Sequence, residues 1–355
     1  MKKIISIPVI FAFIVLTLLM ISINSCSEDN PIVPSVDSTY HYDSARYDWK
    51  IDTIKGYFSP QRLSCVDTNN IYFLDLYRAL IHYDGEKLKA QTLPFSVLGL
   101  SIKAYEDKVY IGGSYLSSSK YDQPALLIKE GDNFQELQLP DSNQKYAIIS
   151  IERMSNNVIW LGTWNGKLIK YESGSFQYFQ FDSIFNVDVF KDNNNNVFTI
   201  NRKELYDSIG TNGRKYLEIN KYENGTFRRL YYKYFEQIDN YTLTTSIING
   251  QIYARNSFNI LKFNGNDFVK IIDFPPIGPS SKFSGSSESD ISIEGIIRPY
   301  HGITNLFHWN GIKWSNEFGI DAISPNVISE KIKDKYVYVG TYDPNETYLI
   351  IGSPK

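Results

Sequence analysis

Five tyrosines, a tryptophan, an arginine and a histidine stand in polar, turn-rich stretches that read as surface loops. Tyr115 and Tyr121 belong to SYLSSSKYDQP, Arg202 and Tyr206 to RKELYDSIGTNGRK, Tyr300 and His301 to RPYHGIT, and Tyr342 to TYDPNET, while Trp164 precedes the dipeptide Asn165-Gly166. Tyrosine offers a broad ring at low entropic cost and a hydroxyl for hydrogen bonding. Arg202 and its neighbour Lys203 add positive charge. Together these are the means of non-covalent recognition, of a protein, a peptide or a glycan. The competing reading is ordinary surface aromatics in a chain with 27 tyrosines.

Covalent and metal chemistry find little footing. No G-x-S-x-G, H-E-x-x-H, Walker A or dinucleotide-binding fingerprint occurs, and no Asp box of the sialidase type. His41, His82, His301 and His308 are scattered, and neither Cys26 nor Cys65 stands at metal-ligand spacing, so no metal or cofactor is expected. Cys65, in LSCVD, reads as a small buried hydrophobe; a nucleophile would want a nearby base, and no histidine is close in sequence. KDNNNN at 191–196 carries oxygen ligands for calcium, yet its position matches the turns DTNN and SNN elsewhere, so a hairpin turn is expected. A net charge of −3 argues against a nucleic-acid surface. Carboxylates are numerous, but only a fold can bring two to glycosidase distance.

The elements that must position these residues repeat. HYDGEKL, IKEGDNF, KYESGSF, KYENGTF, KFNGNDF and HWNGIKW each carry an apolar or aromatic strand into a glycine turn and out into another strand. The glycines are Gly85, Gly131, Gly174, Gly225, Gly265 and Gly311, separated by 46, 43, 51, 40 and 46 residues. That period is the length of a four-stranded propeller blade. Upstream of each lies a partner strand, IYFLD, VYIGG, VIWLGT, VFTIN, QIYARN and ISIEG, with VYVGT beginning a seventh unit. The unit is strand, polar turn, strand, loop, strand, glycine turn, strand. The seventh unit runs out of chain before its outer strand, and YDWKIDTI at 47–54 is a strand left over at the other end. The expected fold is therefore all-β: a single β-propeller of seven four-stranded blades, the last closed by the N-terminal strand, with six and eight blades as alternatives. The loops between second and third strands then share one face, which gathers the eight residues above.

IWLGTWNGKLIKYESGSFQYF resembles the two-component-regulator propeller repeat, a strand ending in W-I-G-T, a glycine hairpin and a Leu-x-x-Tyr-Asp strand; VYVGTYD matches part of it. The other units keep the spacing without the Trp and Gly-Thr. The resemblance implies a WD40- or YVTN-like propeller, which in that family is often the sensor half of a membrane receptor.

The N-terminus reads as an address. Lys2 and Lys3 precede an apolar run from Ile4 to Ile23, the plan of a secretory signal, with an uncleaved anchor as the alternative. Ile23-Asn24-Ser25-Cys26 resembles a bacterial lipobox, which implies a lipid such as palmitate on Cys26 and attachment to the membrane. Ser27-Glu28-Asp29 resembles the surface-export signal of Bacteroidetes lipoproteins, implying the outer face of the outer membrane; a solvated tether facing the periplasm is the alternative. The expected organisation is a signal peptide over 1–25, a polar tether over 26–44 and the propeller over 45–355. The functional expectation is an exported, lipid-anchored binding module for a protein, peptide or glycan, with a propeller-type glycan hydrolase or lyase as the alternative, since fold alone does not choose.

Overall fold

A computed structural model describes residues 47–355, apart from 56–57, 77, 117–119, 121, 141–143, 183–185, 207–212, 236–243, 257–258, 274–282, 297–302, 322–326 and 344–345. Of several strand-end residues it describes the backbone alone. Cys26, the signal segment, the tether, Tyr121, Tyr300 and His301 lie outside the described residues.

The glycine turns meet one backbone requirement. Gly85, Gly131, Gly174, Gly225, Gly265 and Gly311 all have positive φ, from 57° to 99°. Glycine enters that region without a Cβ penalty. Ser173 and Asn224 precede their glycines with φ of 48° and 52°, giving the tight two-residue hairpins whose twist matches the flanking strands. Asp84, Asn264 and Asn310 instead fold their side chains back, each accepting the two backbone amides that follow the glycine at 2.7–3.1 Å.

These turns join the third and outer strands in six of seven antiparallel sheets, each of four strands. The result is a seven-bladed β-propeller. The innermost strands are Pro60–Asp67, Val97–Ala104, Ile148–Ser155, Asn186–Lys191, Thr244–Ile248, Phe283–Ser287 and Val327–Ile332. Each leads by a polar turn into a second strand: Asn70–Asp75, Val109–Tyr115, Val158–Thr163, Val197–Tyr206, Gln251–Arg255, Asp290–Ile296 and Lys335–Asp343. The turn at 192–196 is built by Asp192, whose Oδ1 accepts the amides of Asn194 and Asn196 at 2.9 and 2.8 Å. It is a hairpin turn, as its position in the repeat predicts.

Strand direction sorts the connections. The turns after the innermost and third strands share one face, the turn face. The loops after the second strands and the links between blades share the other, the loop face.

The second strands of the blades pack on both sides, because each blade lies between two others. The apolar core is accordingly divided into seven clusters, one for each blade-to-blade junction. The strand Val109–Tyr115 shows the principle: all seven residues are buried. Val109 and Ile111 pack toward blade 1, whereas Tyr110 packs toward blade 3. Trp160 closes the junction of blades 3 and 4, its ring 5.0 Å from Tyr222 and 5.6 Å from Phe179. It is scaffold, 1% exposed.

Ring closure uses the leftover strand. Tyr47–Lys55 pairs antiparallel with Glu346–Pro354, in register from Tyr47↔Pro354 to Lys55↔Glu346, and so becomes the outer strand of blade 7. A polar network locks its first residue. Asp290 Oδ1 accepts from Tyr47 and Tyr336 hydroxyls, each at 3.2 Å, and from His308 Nε2 at 2.8 Å. Its Oδ2 pairs with Lys331 at 2.7 Å and accepts the Ser286 hydroxyl. Blade 6, blade 7 and the N-terminal strand thus share one carboxylate.

The largest departure from the sequence reading is in blade 4. Of RKELYDSIGTNGRK, expected as an expanded loop, residues 202–206 and 213–215 belong to the strands Val197–Tyr206 and Gly213–Glu223, paired from Phe198↔Lys221 to Tyr206↔Gly213. The extended pairing satisfies backbone groups that a loop would leave to water. Arg202 and Lys203 are therefore strand residues.

Candidate functional site on the loop face and channel

The innermost strands surround a channel, and its described part holds a cavity of about 880 Å³. Leu63, Leu100 and Ile149 give it apolar walls, and Ser101, Ser150 and Ser246 give it small polar ones. Its charges fall at two levels. Near the turn face, Glu152 lies 3.7 Å from Lys103 and 3.9 Å from Lys191. The Glu152 charge raises the Lys103 ammonium well above its ordinary value despite burial, and Glu330 adds to the effect. Near the loop face, Arg202 is ion-paired with Asp188, and Arg62 lies with them on the cavity. Arg62 donates to the Gln61 carbonyl at 2.7 Å. Burial lowers its pKa; Asp188 lies close enough to favour its charge, and Arg202 close enough to oppose it.

The loop face above the channel is apolar over blades 1 to 3. Among the described residues, nine large apolar side chains are exposed. Four of them, Leu76, Phe95, Leu116 and Trp164, lie on this face, against Ile312 alone on the turn face and four on outer strands. Backbone bonds knit their loops together: the Leu93 amide donates to Arg78, Leu116 to Ser96, Tyr146 to Asp122 and Trp164 to Ala147. Phe95 and Ser96 both have positive φ, 60° and 56°, in the link between blades 1 and 2. A left-handed backbone under a half-exposed phenylalanine is strain held where it stabilises no core.

Of the eight residues expected to gather here, the structure brings Trp164 and Arg202 together on the cavity. Trp164 is 40% exposed at its hairpin tip. Tyr115 is buried instead: its hydroxyl donates to Glu136 and Lys120 stands 4.6 Å over its ring, so it braces the loop rather than presenting to solvent. Tyr206 ends a second strand, Tyr342 stands one residue before the end of another, and only their backbones are described. Sequence reasoning passed over Arg62, Asp188 and the lower charges because it searched loops. Their one mark in the sequence is a charge within an innermost strand, which does not by itself say that the residue faces the channel. Phe95 was missed because blade-to-blade links were not counted among that face's loops.

Cys65 has no disulfide partner, and burial first, then Glu330, pushes its thiol up, away from a reactive thiolate. Among the described residues no group of three metal-ligating side chains converges. None of their helices is long and apolar enough to cross a membrane.

No family model matches the chain, and no curated protein matches it. Solved structures match it in fold. The structure described as YCF48 bound to D1 peptide is 12% identical with a TM-score of 0.59, covering 89% of this chain and 100% of that one. YCF48 from Cyanidioschyzon merolae is 12% identical at 0.55, covering 85% and 98%. The WD40 β-propeller domain of Doa1 is 13% identical at 0.54, covering 88% and 98%. At such identities the likeness is of fold: the chain is a WD40-like seven-bladed propeller.

Proposed function

We propose that this chain is a non-catalytic binding propeller that takes an extended polypeptide segment on its loop face, over blades 1 to 3 and the channel mouth. The observation that carries the reading is the concentration of Leu76, Phe95, Leu116 and Trp164 on that face, with strained backbone beneath Phe95. Apolar patches exposed beside charged groups are the usual makings of a protein-binding surface. The cavity's carboxylates are engaged by cations, Asp188 by Arg202 and Glu152 by two lysines, so neither is poised as the acid or base of a glycan hydrolase. YCF48, which shares the fold, is described with a bound peptide.

The address completes the proposal: export, a lipid on Cys26 and display at the outer membrane. A pull-down from the native envelope with the full-length chain tests the binding reading. A protein partner retained by the wild type and lost with Phe95→Ala/Trp164→Ala supports it. Capture of glycan competed by free sugar, with no protein, sinks it. Labelling with a fatty-acid analogue that persists in Cys26→Ser removes the lipid anchor. Protease shaving of intact cells separates surface display from a periplasmic orientation.

A further inference from the structure

The two charged levels of the channel differ in balance. At the turn-face level, Lys103 and Lys191 share Glu152, and Glu330 contributes a second negative charge to Lys103. At the loop-face level, among the described residues lining the cavity, two guanidiniums meet one carboxylate, and Arg202 has it. Among the described residues Arg62 has a single hydrogen bond, to a neutral carbonyl, out of five donors, and no carboxylate within ion-pair distance. A partly buried cation beside a second one is costly in a low-dielectric wall unless an anion joins them. Counted over the described residues, the mouth carries one positive charge in excess, in a cavity roomy enough for a side chain.

We infer that this mouth is a carboxylate-binding subsite, in which Arg62 and Arg202 receive an acidic side chain or a chain-terminal carboxylate while flanking apolar residues of the same segment lie over Trp164 and Phe95. The inference rests on the polypeptide-binding reading above and names the chemistry of its ligand. Arginine suits it because a guanidinium meets a carboxylate with two parallel hydrogen bonds. A single excess charge matches a carboxylate monoanion better than a phosphate dianion. The apolar walls at Leu63 and Leu100 exclude water from the pair and strengthen it. Asp188 tunes the site: by occupying Arg202 it lowers the mouth's pull on anions in general and leaves selectivity to the ligand's apolar flanks.

The test selects peptides on the full-length chain in mild detergent, from one random library with free C-termini and one with amidated C-termini. The expected result is enrichment of an Asp or Glu, or of a free C-terminus, within two or three residues of an aromatic or Leu. Replacing that carboxylate by its amide then weakens binding to the wild type at least about tenfold. In Arg62→Gln the acid and amide peptides bind within about twofold of each other, and Arg62→Lys lies between. Thermal unfolding of each variant confirms that it is folded. Dependence on the free-terminus library identifies a chain end; enrichment in both identifies an acidic side chain. The inference is overturned if the wild type binds acid and amide alike, if Arg62→Gln discriminates as sharply as the wild type, or if a uronate-bearing glycan replaces peptides at Arg62. Enriched peptides without an acidic preference defeat the subsite alone. Failure to enrich any peptide defeats the polypeptide-binding reading and the subsite with it.

Discussion

Gly162 and Thr163, the Gly-Thr of the repeat, are scaffold. A Cβ on Gly162 would lie 2.0 Å from the Val187 carbonyl oxygen, where the innermost strand of blade 4 crosses behind blade 3. Thr163 is fully buried and its hydroxyl donates to the Lys167 carbonyl at 2.7 Å while accepting that residue's amide at 3.1 Å, clamping the hairpin that carries Trp164. Gly162→Ala is expected to lower stability by about 3 kcal/mol, read as a fall in the urea midpoint, because backbone must move to relieve the clash. Gly131 has open space around it but φ of 57°, so Gly131→Ala should cost only about 1 kcal/mol. Trp164→Ala, at an exposed tip, should leave stability within about 0.5 kcal/mol while weakening ligand binding. The same dipeptide therefore looked like a motif for a reason unrelated to recognition: it fits one blade behind the next. Trp164 was legible as a contact candidate because hairpin tips are exposed. Arg62 was not, because strand alternation does not tell a residue facing the channel from one facing a neighbouring blade.

At the level of elements, the repeat was readable wherever a local rule repeats. Glycine turns need positive φ, and second strands are apolar on both sides, so both recur visibly. Counting strands also exposed the donor for blade 7. Where strand and loop share a composition, the sequence misled: RKELY and GRKYL are polar enough for a loop, yet their pairing extends the blade 4 ladder. Tyr115 misled in another way, since the last residue of a strand faces inward as readily as outward. The N-terminal strand is the element whose loss should matter most. Tyr47 is 4% exposed within the cluster of Leu306, Tyr336, Tyr338 and Ile350. Trp49 lies so close to Gly352 that a Cβ there would fall 2.3 Å from its ring. Deleting residues 47–55 bares this cluster and turns Glu346–Pro354 into an open edge, so the truncated chain is expected to aggregate on size-exclusion chromatography and lose its cooperative melt.

For the whole molecule, closure of the ring is coupled to acid through Asp290. Burial alone would raise its carboxyl, but hydrogen bonds from His308, Lys331 and Ser286, with the Lys331 charge, outweigh that and hold it far below the usual carboxylate range. Tyr47 and Tyr336 face the same group. An unfolded aspartate protonates near pH 4. Above that pH both states are ionised and the network contributes fully; below it the unfolded chain takes up a proton that the folded one refuses, and stability falls. Urea midpoints measured from pH 6 to 3 should therefore decline below about pH 4, with a shallower decline in Asp290→Asn. That variant should also lose about 3–5 kcal/mol at neutral pH, because the buried ion pair between Asp290 and Lys331, whose side chain is 5% exposed, is broken.

The strand Tyr47–Lys55 enters blade 7 at the turn face and runs toward the loop face, antiparallel to Glu346–Pro354. A ligand held on the loop face and a pull on the chain before Tyr47 would load this strand along its own length. Every rung of its ladder then bears the tension at once, which is shear, instead of opening one rung at a time as in peeling. The outer strand of blade 7 is thereby set in its mechanically strongest direction. The non-covalent seam that closes the propeller can serve as its point of suspension.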